Sequence, residues 1–266
     1  MHEGIKSGDG FIGDSSQRGF AMKKRLEEKY GKHTWRFYIH YWAGCVKRLY
    51  KKPKKYMVIG EDNHLIFVEG IKEYEVPFSV IPHLSIEIKG AHNVIKIHKT
   101  NPTVLDWNFC LHMYGNHNTF EFGELVGGEW NATAYGDHNL MRIGDRTTTG
   151  KFSVALHSNQ FIVGNDCMIS SEEELWTDGH SVIDVNTREV LNKPTSPIII
   201  GNHVWLGRRV TLTKGAQIPD DCIVGIGSIV TKKFTEPHCV IAGNPAKVVR
   251  TGISWDAKRP TDYVNP

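Results

Sequence analysis

Aliphatic residues recur at every sixth position towards the C-terminal end of the chain. Written in sixes, residues 200–235 read IGNHVW, LGRRVT, LTKGAQ, IPDDCI, VGIGSI and VTKKFT. The first column is Ile200, Leu206, Leu212, Ile218, Val224 and Val230; the fifth is Val204, Val210, Ala216, Cys222 and Ser228. A helix repeats its apolar residues every ~3.6 positions and a half-buried strand every second one. A period of six fits neither. It predicts very short strands joined by tight turns and stacked as a solenoid, with the aliphatic column inside and the small fifth residue where the chain bends.

A looser repeat lies upstream. GEDNHLIFV (60–68), GAHNVIKI (90–97), GNHNTFEF (115–122) and GDHNLMRI (136–143) share a glycine, a polar pair, an asparagine usually at the fourth place, and alternating apolar residues. Glycine and asparagine both tolerate the left-handed backbone that a tight corner needs. IGDRTTTGKFSV and IVGNDCMIS continue the pattern, so residues 56–250 are expected to form one all-β solenoid, followed by a tail over 251–266. The pattern lapses in LWTDGHSVID (175–184) and resumes at Ile200, which predicts a loop extruded from about Trp176 to Pro197. Residues 20–52 mix aromatic and apolar residues with Lys and Arg and read as one or two helices, broken near Gly31 and stopped by Pro53.

Charge divides the chain at the same place. Residues 1–55 carry 14 Lys and Arg against 5 Asp and Glu, a balance of +9. The whole chain has 32 against 29, so the remainder has 18 against 24, or −6. The basic segment is expected either to cap the solenoid or, through residues 20–55, to meet an anionic polymer or an acidic membrane surface. No apolar run approaches the ~18 residues of a membrane span, and no signal-peptide pattern opens the chain. A cytoplasmic protein is expected, possible at the inner face of the membrane, with no nucleic-acid partner. The five cysteines (Cys45, Cys110, Cys167, Cys222, Cys239) are scattered without a CxxC pair, which argues against a disulfide framework and a zinc knuckle.

The segment IIIGNHVWLGRRVTLTKGAQIPDDCIVGIGSIVTKKF, followed by VIAGNPAKVVR, closely resembles the hexapeptide-repeat acyltransferases. Its nearest branch holds the maltose and galactoside O-acetyltransferases and the capsular polysaccharide, sialic-acid-modifying O-acetyltransferases. The resemblance is sharp over residues 160–250 and weaker over 56–160. It implies a left-handed parallel β-helix, a homotrimer with acetyl-CoA sites between subunits, no metal, and a glycan acceptor. It also implies direct acetyl transfer to a sugar hydroxyl of a bacterial surface (capsular or O-antigen) polysaccharide or its precursor.

Acyl transfer to a hydroxyl needs a base that titrates near neutrality, and histidine suits that task. The resemblance places His180 in this role, with Asp178 either orienting the imidazole or forming an Asp-Gly turn. By family position Trp205 walls the transfer channel, and the N–H groups around Gly207 and Arg208 meet the developing oxyanion. Ile226, Thr231, Lys232, Lys247 and Arg250 match donor-binding positions, with Lys233 a less certain neighbour. Simple-sugar members carry an acceptor-orienting asparagine near Gly150; here His157 and Asn159 stand nearby instead, which favours a larger glycan. Trp176 either stacks on a sugar or packs. Asp184 and Asn192 hold the loop or touch the acceptor. Three other readings stay open: N-acetylation of an amino sugar nucleotide, a γ-carbonic-anhydrase-like hydratase using His92, His117 and His138, and a non-catalytic binding solenoid.

Overall fold

The computed structural model describes residues 56–78, 84–98, 108–177, 179–192 and 195–264. The basic segment 1–55, with its expected helices and its polymer or membrane contact, lies outside the described residues, as does Asp178. No helix of the described residues is long and apolar enough to cross a membrane.

Short strands account for nearly all the regular structure. The early coils contain β1 (Tyr56–Ile59), β2 (His64–Glu69), β3 (Lys72–Glu75), β4 (Leu84–Lys89), β5 (Val94–His98), β6 (Asn108–Tyr114) and β7 (Thr119–Phe122). The middle coils contain β8 (Glu129–Tyr135), β9 (Leu140–Ile143), β10 (Thr148–His157), β11 (Gln160–Val163) and β12 (Met168–Trp176). After the loop come β13 (Ile198–Ile200), β14 (Trp205–Leu206), β15 (Thr211–Thr213), β16 (Gln217–Ile218), β17 (Ile223–Val224), β18 (Ile229–Val230), β19 (Cys239–Gly243) and β20 (Ala246–Thr251). One helical turn, α1 (Thr261–Val264), ends the description.

Each strand pairs in parallel with its counterpart one coil away: β4 with β6, β6 with β8 and β8 with β10 in one sheet, and β5 with β7 and β7 with β9 in the other. Antiparallel pairing closes two ends, with β3 turning back on β2 and β20 on β19. This is the solenoid that the hexads predict, with the left-handed parallel β-helix fold that the resemblance implies. Both hexad columns point inward: every residue of the first and fifth columns is at most 2% exposed. Larger side chains fill the wider early coils, where Phe109, Phe120, Phe122, Trp130, Phe152 and Phe161 are fully buried.

The G-x-x-N repeat has a physical reason. The residue before each asparagine turns the corner with a left-handed backbone: φ is 56° at Asp62, 58° at His92, 55° at His117, 58° at His138 and 46° at Ser158. The asparagine then points inward and joins a ladder along the axis. The Asn63 Oδ1 accepts the Asn93 N–H (3.1 Å), the Asn93 Oδ1 accepts from Asn118 (3.0 Å), and the Asn118 Oδ1 from Asn139 (2.9 Å). Asn159 is the last rung, its N–H donating to the Asn139 Oδ1 at 2.9 Å. His92, His117 and His138 stack outside these rungs, ring centroids 4.8 and 5.1 Å apart and nearly parallel. A second corner carries a matching ladder, in which Asp145, Asn165, Asn202 and Asp220 each accept a backbone N–H from the preceding coil.

Among the described residues one buried side chain is ionisable and acidic. Glu173 is 1% exposed, and neither carboxyl oxygen meets a donor among the described residues. Burial pushes its carboxyl up to about 7. The folded chain thus keeps a proton that the unfolded chain releases near 4.5, so stability is greatest below that pH, falls as pH rises and levels off above about 7.

Two measurements test these features. Asn139→Ala leaves buried N–H groups without acceptors and should lower unfolding stability by about 1–3 kcal/mol in denaturant titration. Glu173→Gln should remove a stability loss of up to about 3 kcal/mol between pH 5 and pH 8; an equal slope in the variant would assign that loss elsewhere.

Candidate active site

The loop is an insertion at the Asn corner, at the point where the Asn column ends. β12 leads into it and β13 takes the coil up again at Ile198, two residues before the sequence pattern resumes. Thr177 anchors its start. The residue is fully buried, its N–H donates to the Ala155 carbonyl (3.2 Å), and its hydroxyl accepts the His157 N–H (2.8 Å). Beyond, Ile183 and Val190 form an antiparallel bridge. Asp184 holds the tip by accepting the N–H groups of Asn186 and Thr187, which keep its carboxyl below the usual range. Asn192 clasps the base: its amide donates to the His180 carbonyl (2.9 Å) and accepts the Val182 N–H (2.8 Å). Asp184 and Asn192 therefore hold the loop, and the backbone at His180 is fixed from both sides while its side chain is exposed.

His157 lies directly against this loop. A side chain at Gly179 would place its Cβ 3.1 Å from the His157 Nε2, so only glycine lets the loop pass so closely without displacing the imidazole. The Thr177 hydroxyl donates to the Ala155 carbonyl and lies 3.2 Å from the His157 Nδ1. That directs Nδ1–H towards Thr177 and Nε2 towards Gly179. Trp176, 63% exposed, stands 6.2 Å from the His157 ring. Thus His157 and Trp176 stand at the corner from which the loop that carries His180 leaves.

Asn159 does not join them. It is 2% exposed, its N–H is the last rung of the inner ladder, and its Oδ1 accepts the Gln160 N–H. The expected acceptor role is corrected on this ground: the side chain presents no atom to a ligand. Gly150 also finds its reason here, since a Cβ there would overlap the Ser171 hydroxyl of the next coil.

The other sequence-selected residues are spread around the coil. β12 crosses a corner at Glu172, where φ is 66°. Its first half pairs with β14 (Met168 beside Trp205), and its second half with β15 (Trp176 beside Thr213). Trp205 therefore lies on one face while the loop leaves from the next. Its indole N–H is buried, and its ring faces Trp255 of the tail at 6.2 Å. Trp255 in turn stacks on His203 (4.4 Å) and donates to the His203 carbonyl (2.7 Å), so the tail is packed down rather than loose. Gly207, Arg208 and Ile226 sit at the intervening corner. The Gly207 N–H donates to the Val224 carbonyl (2.8 Å) and is committed to the coil, which removes it as an oxyanion donor. The Arg208 N–H takes no acceptor among the described residues. The Arg208 and Arg209 side chains both pair with Glu172, holding that carboxyl below its usual range. Thr231 and Lys232 follow β18, which lies beside β15 at the loop corner, with the Lys232 ammonium over the Phe234 ring. Lys247 and Arg250 are exposed on β20. Thr177 and Trp255 were not singled out in the sequence; Thr177 stood inside the aperiodic decapeptide, which was its only signal.

No family model matches the chain. The polysialic acid O-acetyltransferase of Escherichia coli O1:K1 is 36% identical over 115 residues, covering 42% of this chain and 37% of that protein. The enzyme of the same name from Neisseria meningitidis is 40% identical over 130 residues, 47% of this chain and 60% of its own length. The galactoside O-acetyltransferase of E. coli K12 is 34% identical over 116 residues, 44% and 50% of the two chains. The chain thus matches about four- to six-tenths of the length of these relatives. The crystal structure of the polySia-specific acetyltransferase NeuO superimposes with a TM-score of 0.61 at 25% identity, covering 77% of this chain and 90% of that one.

The contact between Gly179 and His157 has a measurable consequence. Gly179→Ala should shift the His157 ring resonances in a proton–nitrogen NMR spectrum by moving the ring or the loop, with the thermal midpoint nearly unchanged because residue 179 is exposed. Unchanged His157 resonances in that variant would show that the close approach has no bearing on the site. The coil repeat, the extruded histidine loop and these relatives agree: the chain has the left-handed parallel β-helix fold and is similar to the hexapeptide-repeat acyltransferases.

Proposed function

We propose that the chain is an acetyl-CoA-dependent O-acetyltransferase that modifies a sugar hydroxyl of a bacterial surface polysaccharide. The observation that carries this reading is His180: an exposed imidazole on a loop clasped by Asn192, directly after the Gly179 that abuts His157. Its likeness to enzymes named for polysialic acid O-acetylation selects polysaccharide as the acceptor.

His180 accepts the proton of the sugar hydroxyl as that oxygen bonds to the thioester carbonyl carbon. The Arg208 N–H meets the oxyanion. Collapse breaks the carbon–sulfur bond, and the His180 imidazolium returns the proton to the departing thiolate. Transfer is direct. Among the described residues Cys167 and Cys239 are buried with thiols pushed up to about 11 and about 12, and Cys222 is buried as well. Thiols so disfavoured as thiolates make poor nucleophiles. Thr231, Lys232, Lys247 and Arg250 are exposed and suit an anionic nucleotide, and Ile226, 73% exposed, suits its apolar arm.

The spread of these groups around the coil supports a site shared between subunits, as does the loop's apolar surface. Val182, Val185, Val190 and Leu191 are 56–82% exposed, more apolar area than a loop leaves in water without a covering partner. A homotrimer covers them and brings one chain's loop to a neighbour's Trp205 face.

Thiol release from acetyl-CoA tests the proposal, with polysialic acid, other capsular polysaccharides, free sugars and an amino sugar nucleotide as acceptors. Release should require a polysaccharide and fall about 10²- to 10⁴-fold in His180→Ala. Release with the amino sugar nucleotide alone would assign N-acetylation instead.

A further inference from the structure

The outer faces of the two sheets differ in chemistry. On the β5–β7–β9 face, Lys96 pairs with Glu73, and Glu121 with both His98 and Arg142. Charges there meet charges, as on an ordinary solvated surface. The other face has ion pairs as well, Glu87 with Lys89 and Glu129 with Lys151, and between them it carries rings. Tyr114, Tyr135 and His157 occupy one register row of β6, β8 and β10, one ring per coil. Tyr114 and Tyr135 lie 5.6 Å apart, and Tyr135 and His157 stack at 4.9 Å within 15° of parallel. Rings stacked along the axis present their edges outward, so the row is a series of phenol hydroxyls ending in an imidazole. In the neighbouring row His112 stands beside Tyr114, ring centroids 6.0 Å apart, but the next two coils are small there: Thr133 and Ala155 flank Tyr135 and His157 and leave a trough, at whose end Trp176 stands. Tyr135 is 42% exposed and Trp176 63%, so folding alone does not explain either.

We propose that this face is a binding track for an extended glycan. Successive sugar units lie in the trough along the coils, hydrogen-bonded to the Tyr135 hydroxyl and packed against the edge of the His157 ring, and the reacting unit reaches Trp176 beneath the loop that carries His180. Three observations select a glycan as occupant. Hydroxyl edges beside an exposed indole match a ligand with a hydroxyl rim and apolar ring faces. The row repeats once per coil, every ~4.8 Å, as suits a ligand that itself repeats. The track is also continuous with the candidate site, since its last rung, His157, abuts Gly179. The inference rests on the acetyltransfer reading and extends it: binding energy from units remote from the reacting hydroxyl would make long chains the better acceptors.

The test uses the full-length chain, with short oligomers and long chains of polysialic acid as acceptors and with sedimentation of each variant. Tyr135→Phe keeps the stack and removes one hydroxyl; Thr133→Trp fills the trough. The wild type should show a KM per chain roughly tenfold lower for long than for short acceptor, and both variants should erase that preference. Direct binding of long polysialic acid without acetyl-CoA, measured by calorimetry with His180→Ala, separates the two readings. If no glycan accepts acetyl, the acetyltransfer reading fails, and binding lost in His180→Ala/Tyr135→Phe would still uphold the track. Equal KM for long and short acceptor in the wild type, no polymer binding in His180→Ala, or a variant that changes the oligomeric state would each overturn the track; the last would make this face a contact between copies of the chain.

Discussion

A column of buried side-chain amides holds the coils in alignment. Each Asn accepts a backbone N–H from the next coil, satisfying a corner where no strand bond is available. Without it, the left-handed turns at Asp62, His92, His117 and His138 would leave donors orphaned in an apolar interior. The amide column also makes the corner identical from coil to coil. Strands on either side then keep one register over many coils, and side chains outside form straight rows. The stacked imidazoles and the ring row both follow from that regularity.

The loop depends on the same column through its interruption. Where the Asn ladder stops at Asn159, the next coil has no inward amide and the chain is free to leave. Thr177 takes over the anchoring task, and Asn192 closes the excursion on the other side. The candidate base thus stands on an insertion held to the rigid stack at Thr177 and closed on itself by Asn192, an arrangement that limits how far the imidazole can wander.

Much of this was legible in the sequence because a period of six reports which side chains point inward. The buried columns from Ile200 to Val230, the corner asparagines and the aperiodic decapeptide all express it. What the period does not report is proximity around the axis. Asn159 resembled a ligand-facing residue because it lies two positions from His157, yet alternation sends one inward and the other outward. Gly207 sat at the right family position while its N–H belonged to the coil. Trp255 falls in a stretch without period, so its packing on His203 had no signature. Glu173 looked like one more charge in SSEEEL and is, among the described residues, the one carboxyl turned into the core.

The antiparallel returns of β3 on β2 and β20 on β19 each cover one sheet edge of the described coils. A parallel stack exposes at each end a strand that can template another, and a reversed hairpin blunts such an edge. Accretion at those two edges is thereby disfavoured, while insertion of a whole coil between two existing ones remains compatible with both. A gene encoding this architecture can lengthen or shorten its interior in single-turn steps, leaving the terminal closures and the loop insertion untouched.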